Sequence, residues 1–90
     1  MDIKKLKYFI TIVEEGNISA AAKKLHISQP PLSSQIKLLE KQLNLKLMER
    51  GSRNITLTRA GKLLYKRAKN IINLTEATKK ELEDLENGLE

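Results

Sequence analysis

The chain has 90 residues, with 17 Lys and Arg against 11 Asp and Glu, a formal net charge of +6 and one histidine. That length gives room for one compact unit and a projecting element but not for a second core, and with Tyr8, Phe9 and Tyr65 as its only aromatics the core must be aliphatic. The absence of cysteine excludes disulfides and thiolate-rich zinc sites and fits a reducing compartment, the cytoplasm; no apolar stretch long enough for a signal sequence or a membrane span follows Met1-Asp2-Ile3-Lys4-Lys5.

In chain order, Leu6, Phe9, Ile10 and Val13 recur at helical spacing between Ile3 and Glu15, with Asp2 placed as an N-cap and Gly16 as a left-handed stop. This predicts a first amphipathic helix. Asn17 caps a second, short one, in which Ile18, Ala21, Ala22 and Leu25 share a face with little bulk, so that another helix can pack closely. Ser28 is the next N-cap candidate, and Pro30 and Pro31 fit only a helix's first turn, so a third helix starts at Gln29. Its inward face is Leu32, Ile36, Leu39 and Leu43, and Gln29, Ser33 and Lys37 form an outward polar row. Two helices joined by the turn Leu25 to Ser28 make a helix-turn-helix pattern.

After Asn44 the period changes. Leu45 to Arg50 and Ile55 to Thr58 are β-capable runs around the turn-forming Gly51-Ser52-Arg53-Asn54, which predicts a small hairpin, a wing. Thr58 then caps one unbroken helix reaching about Asn87-Gly88. In it Leu64, Ala68, Ile71, Thr75, Thr78, Leu82, Leu85 and Leu89 alternate steps of four and three, the spacing of a two-helix seam. Nothing else in the chain is available to cover that seam, so a second copy is expected to. The fold class is therefore mainly α: a winged helix-turn-helix of three helices and a small β-hairpin wing over residues 1–57, followed by a long dimerising linker helix over 58–90.

The charge is unevenly placed. Residues 1–57 hold ten Lys and Arg against five acids, Arg59 to Lys69 five bases and no acid, whereas from Glu76 onward Lys79 and Lys80 face six acids. A basic head on an acidic stalk suits a polyanion met at one end only.

Leu6-Lys7-Tyr8-Phe9, Ile18-Ser19-Ala20-Ala21-Ala22, Leu25-His26-Ile27-Ser28-Gln29-Pro30-Pro31-Leu32-Ser33, Leu39-Glu40, Leu43, Leu47-Met48-Glu49-Arg50 and Leu57-Thr58-Arg59-Ala60-Gly61 stand in this order and spacing. Together they give the chain a resemblance, over essentially its whole length, to the N-terminal region of the LysR-type transcriptional regulators. The resemblance implies a winged head and a linker helix that pairs two heads, with antiparallel pairing favoured; spacing alone leaves the direction open. It also implies, in the complete protein, a C-terminal periplasmic-binding-protein-like domain that senses a small molecule, so that these residues are expected to be a fragment of a chain that forms a higher oligomer. Three positions depart from the family's pattern: Pro31 stands where Ala is common, Ser34 where many members carry an Arg that reaches DNA, and Met48 where Phe is frequent.

Double-stranded DNA is the expected partner. Only the major groove admits an α-helix and shows four distinguishable base-pair patterns, and a reading helix needs short polar side chains near its N-terminus. Gln29, Ser33 and Ser34 are of that type, Pro30 and Pro31 can touch a thymine methyl, and Lys37 offers a point charge. A capping turn on an ordinary surface helix is the plainer reading of the same residues; the wing, the charge layout and the resemblance weigh against it. Arg53 at the wing tip can enter the minor groove or clamp phosphate, against the plainer reading of a solvated turn charge. Ser28 and Asn17 are caps whose helix N-termini can also hold phosphate. Pairing is assigned to Leu64, Ala68, Ile71, Leu82, Leu85 and Leu89, so that the homodimer meets an interrupted palindrome. Neither a metal nor a cofactor is expected: His26, in the turn between the motif helices, has no carboxylate at ligand spacing. One histidine and scattered acids do not make an enzyme site. A coiled-coil interaction module and a winged regulator of another family are the alternatives.

Overall fold

The computed structural model describes residues 1–88, so the expectation for Leu89 lies outside the described residues. Its elements are α1 (Ile3–Glu15), α2 (Ile18–Leu25), α3 (Gln29–Leu43), β1 (Met48–Arg50), β2 (Ile55–Leu57) and α4 (Arg59–Glu86). Each helix start and stop has a local cause. Asp2 accepts from the Lys5 backbone N–H at 2.8 Å and from its ammonium at 2.8 Å. These two bonds, the ammonium's first, hold the Asp2 carboxyl below its ordinary value. Gly16 ends α1 at φ 84°, a conformation in which Cβ is penalised. Asn17 then accepts from the Ala20 N–H at 2.8 Å and starts α2.

Helices α1, α2 and α3 enclose a core of Phe9, Ile12, Ile18, Ala21, Ala22, Leu32, Ile36, Leu39, Leu47 and Met48. Each large side chain buried in it contributes about 1.5–3 kcal/mol. Ile12 is fully buried, whereas Ile10 and Val13 are only half-buried. The predicted stripe on α1 was displaced because that helix packs against α2, α3 and α4 together, so its apolar face is wider than one stripe.

The hairpin is antiparallel, with Met48 opposite Leu57, Glu49 opposite Thr56 and Arg50 opposite Ile55. β1 is shorter than the run Leu45 to Arg50, because the backbone before it is satisfied elsewhere. The Leu45 N–H donates to the Glu40 carbonyl at 3.1 Å and the Leu47 carbonyl accepts from the Thr58 N–H at 3.1 Å. The Glu40 carboxylate accepts from the Leu47 and Met48 N–H groups at 2.7 and 3.4 Å. On the other strand the Ile55 N–H donates to the Gly16 carbonyl at 2.9 Å, which ties the wing to the α1–α2 turn.

Thr58 starts α4 and holds it to the wing. Its hydroxyl accepts from the Gly61 N–H at 3.0 Å and donates to the Lys46 carbonyl at 2.7 Å. The first turns of α4 belong to the head: Ala60, Leu64 and Tyr65 pack on the core, and the Tyr65 hydroxyl donates to Glu14 at 2.9 Å. The 28 residues of α4, at 1.5 Å each, run about 42 Å, and the molecule measures 52 × 27 × 19 Å. Among the described residues no helix is long and apolar enough to cross a membrane.

Gly61 is buried, and a Cβ there would overlap the Leu47 carbonyl oxygen and lie 3.1 Å from Leu57 Cδ2. Alanine would otherwise gain about 0.8–1 kcal/mol in a helix. Because a backbone carbonyl cannot swing aside as a side chain can, Gly61→Ala should instead lower stability by about 1–3 kcal/mol. Urea unfolding should show a lower midpoint with an unchanged slope.

Candidate nucleic-acid interface

Helix α3 divides cleanly into two faces. Leu32, Ile36 and Leu39 are fully buried, while Gln29, Pro30, Pro31, Ser34 and Lys37 are exposed and Ser33 is half-buried at the margin. The buried leucines and isoleucine therefore fix the rotation of the helix, and that rotation puts the polar row outward.

The start of α3 departs from the expected cap. Ser28 has the extended backbone of an N-cap, φ −76° and ψ 159°, yet its side chain makes no capping bond. An N-cap oxygen accepts from the second or third residue of its helix, and here those are Pro30 and Pro31, which have no N–H. Gln29 is thus the only one of the first three helix residues with a backbone N–H. At α2 the Asn17 cap takes the Ala20 N–H, leaving those of Ile18 and Ser19 as the unpaired donors usual at a helix N-terminus. Of the two caps expected to sit over phosphate-holding N-termini, the Asn17 end is the better equipped.

One open cleft of about 140 Å³ brings three of the expected contact residues together, while Ser28, Pro30, Pro31, Ser33 and Ser34 do not line it. Its walls are Asn17, Ile18 and Ser19 from α2, Gln29 from α3, and Arg50 to Ile55 from the wing. Gln29, Asn17 and Arg53 thus share one cleft although they are far apart in sequence. Lys37 is not among them; it lies on a neighbouring hollow with Glu40, Lys46, Met48, Glu49 and Arg50. Arg50 borders both hollows. Its Nη1 donates to the Ser33 hydroxyl at 3.3 Å, and the Ser19 hydroxyl donates to Gln29 Oε1 at 3.0 Å.

Arg50 and Ser19 were not among the predicted site residues. Arg50 is the last residue of β1, beside the turn, and its sign and place were a usable signal. Ser19 carried none, because it meets Gln29 only through the angle between α2 and α3. His26 sits exposed at φ 58° as the left-handed cap of α2, and among the described residues no cluster of three His, Cys, Asp or Glu side chains is placed to hold a metal.

The predicted seam on α4 needs correction at its head end. Ala68 is fully buried within the single chain, so it has no surface left for a partner and belongs to the head core. Leu64 packs partly on that core and Ile71 is half-buried. The apolar surface that remains exposed on α4 is Leu63, Leu74, Leu82 and Leu85. Of these, Leu63 and Leu74 lay outside the predicted pattern.

Comparison with known proteins agrees with this fold. Residues 3–62 match the model of the family described as bacterial regulatory helix-turn-helix protein, lysR family. The chain is 46% identical over 79 residues to the HTH-type transcriptional regulator ClcR of Pseudomonas putida, covering 88% of this chain and 27% of that one. It is 48% identical over 86 residues to the HTH-type transcriptional regulator BsdA of Bacillus subtilis, covering 94% and 30%. The chain therefore spans less than a third of the length of these relatives. Among solved structures, the CbnR_DBD–DNA complex is similar with a TM-score of 0.92 and 41% identity, over 94% of this chain and 98% of that one. The BenM_DBD/catB site 1 DNA complex is similar with a TM-score of 0.95 and 37% identity, over 100% and 97%.

The geometry assigns Glu40 a positioning role, since its carboxylate joins α3 to the residues that enter β1. Glu40→Ala leaves two partly buried N–H groups without their charged acceptor. Stability should fall by about 1–3 kcal/mol, and amide hydrogen exchange should accelerate at Leu47 and Met48 more than in α1.

Proposed function

The chain belongs to the lysR family of bacterial regulatory helix-turn-helix proteins, and from that premise we propose that α3 reads the major groove of double-stranded DNA while the wing tip meets the adjoining minor groove. The family is one of transcription regulators, and the chain is a DNA-binding regulator rather than an enzyme. One observation carries the finer reading: Gln29 and the wing arginines 50 and 53 border a single cleft at the exposed start of α3. Gln29, Ser33 and Ser34, with Pro30 and Pro31 beside them, meet base edges; Lys37 and the N-terminus of α2 at Asn17 position the phosphate backbone; Ser28, freed from capping, offers its hydroxyl to the same backbone. Ser34 carries no charge, and Arg50, held at Ser33, supplies a cation from the wing. In the cell this function places the chain in the cytoplasm.

We read residues 1–57 as the head, with the first turns of α4 packed on it, and the remainder of the segment 58–90 as the linker, which makes a homodimer. The exposed Leu74, Leu82 and Leu85 need cover, and the charges choose the direction. Arg59, Lys62, Lys66, Arg67 and Lys69 occupy the first half of α4, and Glu76, Glu81, Glu83, Asp84 and Glu86 the second. Antiparallel pairing sets each basic half beside the partner's acidic half, and parallel pairing sets like against like. The roughly 42 Å of α4 is of the order of one DNA turn, about 34–36 Å. Two heads so joined suit an interrupted palindrome, and a longer chain carrying an effector domain would assemble further.

Two experiments test this. If two heads neutralise on the order of six to ten phosphates, affinity for duplex DNA should fall about 10³- to 10⁵-fold between 50 and 200 mM salt, and Arg53→Ala should make the slope of log affinity against log salt shallower by about one per head. A flat salt profile would rule out contact with a phosphate backbone. Separately, Leu82→Asp combined with Leu85→Asp should give monomers in sedimentation while the circular dichroism of the head is kept. A dimer that persists would move the interface elsewhere.

A further inference from the structure

On the premise that α3 reads bases, we propose that Ser19, on the neighbouring helix, is a specificity-determining residue: its bond to Gln29 occupies one acceptor site of the carboxamide oxygen, leaves the NH₂ end to meet DNA and biases its base pair toward G·C.

A free glutamine carboxamide offers an acceptor oxygen and a donor NH₂, the pair that matches adenine N7 and N6–H₂ in the major groove. Here the oxygen is engaged. The Ser19 hydroxyl donates to Gln29 Oε1 at 3.0 Å, from a first turn of α2 fixed by the Asn17 cap. Ser19 takes one of the two lone pairs of Oε1 and holds the oxygen toward α2, so adenine's amino group finds a weakened, turned-away acceptor, whereas a base that only accepts needs nothing from Oε1. Nε2 is the end of Gln29 left free toward DNA.

A second contact biases the neighbouring reader the same way. Arg50 Nη1 donates to the Ser33 hydroxyl oxygen at 3.3 Å, so an acceptor site of Ser33 is used and its O–H remains to donate. Arg50 itself has only donors. Gln29, Ser33 and Arg50 therefore present an array of donors, and guanine, with N7 and O6 side by side, is the base edge that such an array matches best. Ser19 touches no base in this scheme. It is a positioning residue acting through Gln29.

The test is a selection of bound duplexes from a random pool, carried out in parallel with the unaltered chain and its Ser19→Ala, Ser19→Thr and Gln29→Ala variants. Single-base duplexes are then titrated at the affected position at fixed salt, with circular dichroism checking each fold. Gln29→Ala should erase preference at one position per half-site, and at that position the unaltered chain should favour G·C. Ser19→Ala should shift the ratio of G·C to A·T affinity there toward A·T by about threefold to tenfold, the factor that one neutral hydrogen bond carries. Ser19→Thr, which keeps the hydroxyl, should retain the original ratio. If Ser19→Ala leaves the ratio unchanged while Gln29→Ala still erases it, Gln29 reads DNA but Ser19 does not direct it, and the proposal falls alone. A position that depends on Gln29 but favours A·T in the unaltered chain likewise overturns it. If Gln29→Ala alters no position, base reading through Gln29 fails and this proposal with it.

Discussion

Everything that gives this molecule a direction passes through Thr58. Its N–H and its hydroxyl donate to consecutive carbonyls, Leu47 and Lys46, at the entrance to the wing. The same hydroxyl accepts from Gly61 and the Thr58 carbonyl accepts from Lys62, which opens α4. One residue thus ends a strand, starts a helix and sets the angle between them. Gly61 makes that angle possible, because only a residue without Cβ lets α4 approach the Leu47 carbonyl so closely. Where the wing arginines stand relative to α3, and where the stalk points, both follow from this junction.

The head then separates two tasks that a single helix face would mix. Burial of Leu32, Ile36 and Leu39 fixes which way α3 faces, and the wing is referenced to α3 by the Glu40 carboxylate and to the α1–α2 turn by the bond from Ile55 to Gly16. None of these groups needs to touch a ligand. They hold the cleft, so that side chains within it can be exchanged without moving the backbone that carries them.

Most of the architecture was legible in the sequence because it is specified locally. Asp2, Gly16, Asn17 and Thr58 announce helix ends by chemistry that acts within four residues, and the apolar periods place each helix in sequence to within a residue or two. The lack of a Ser28 capping bond was also written there, since two prolines follow it, but the usual preference for serine at an N-cap hid it. Ile12 and Ala68 were misjudged for a different reason: a period shows that one face is buried but not how many neighbours share it, and α1 and α4 bury each other. The contacts from Ser19 to Gln29 and from Arg50 to Ser33 span 10 and 17 residues. They exist only once the helices have crossed, and no local pattern encodes that crossing.

The prolines at 30 and 31 have an effect on how the protein can change over generations. Their fixed φ angles remove backbone freedom from the first turn of α3 before any partner arrives. A turn that is already set has little entropy left to lose on docking, but it also has little ability to adjust to a poorly matched site. On the reading proposed for α3, mismatch would be met with a loss of contact rather than with accommodation, and the range of tolerated DNA sites would stay narrow. Drift in the preferred site would then come through single side-chain exchanges around the rigid turn. A lineage that relaxed Pro31 to a more permissive residue would gain tolerance for variant sites at the expense of discrimination.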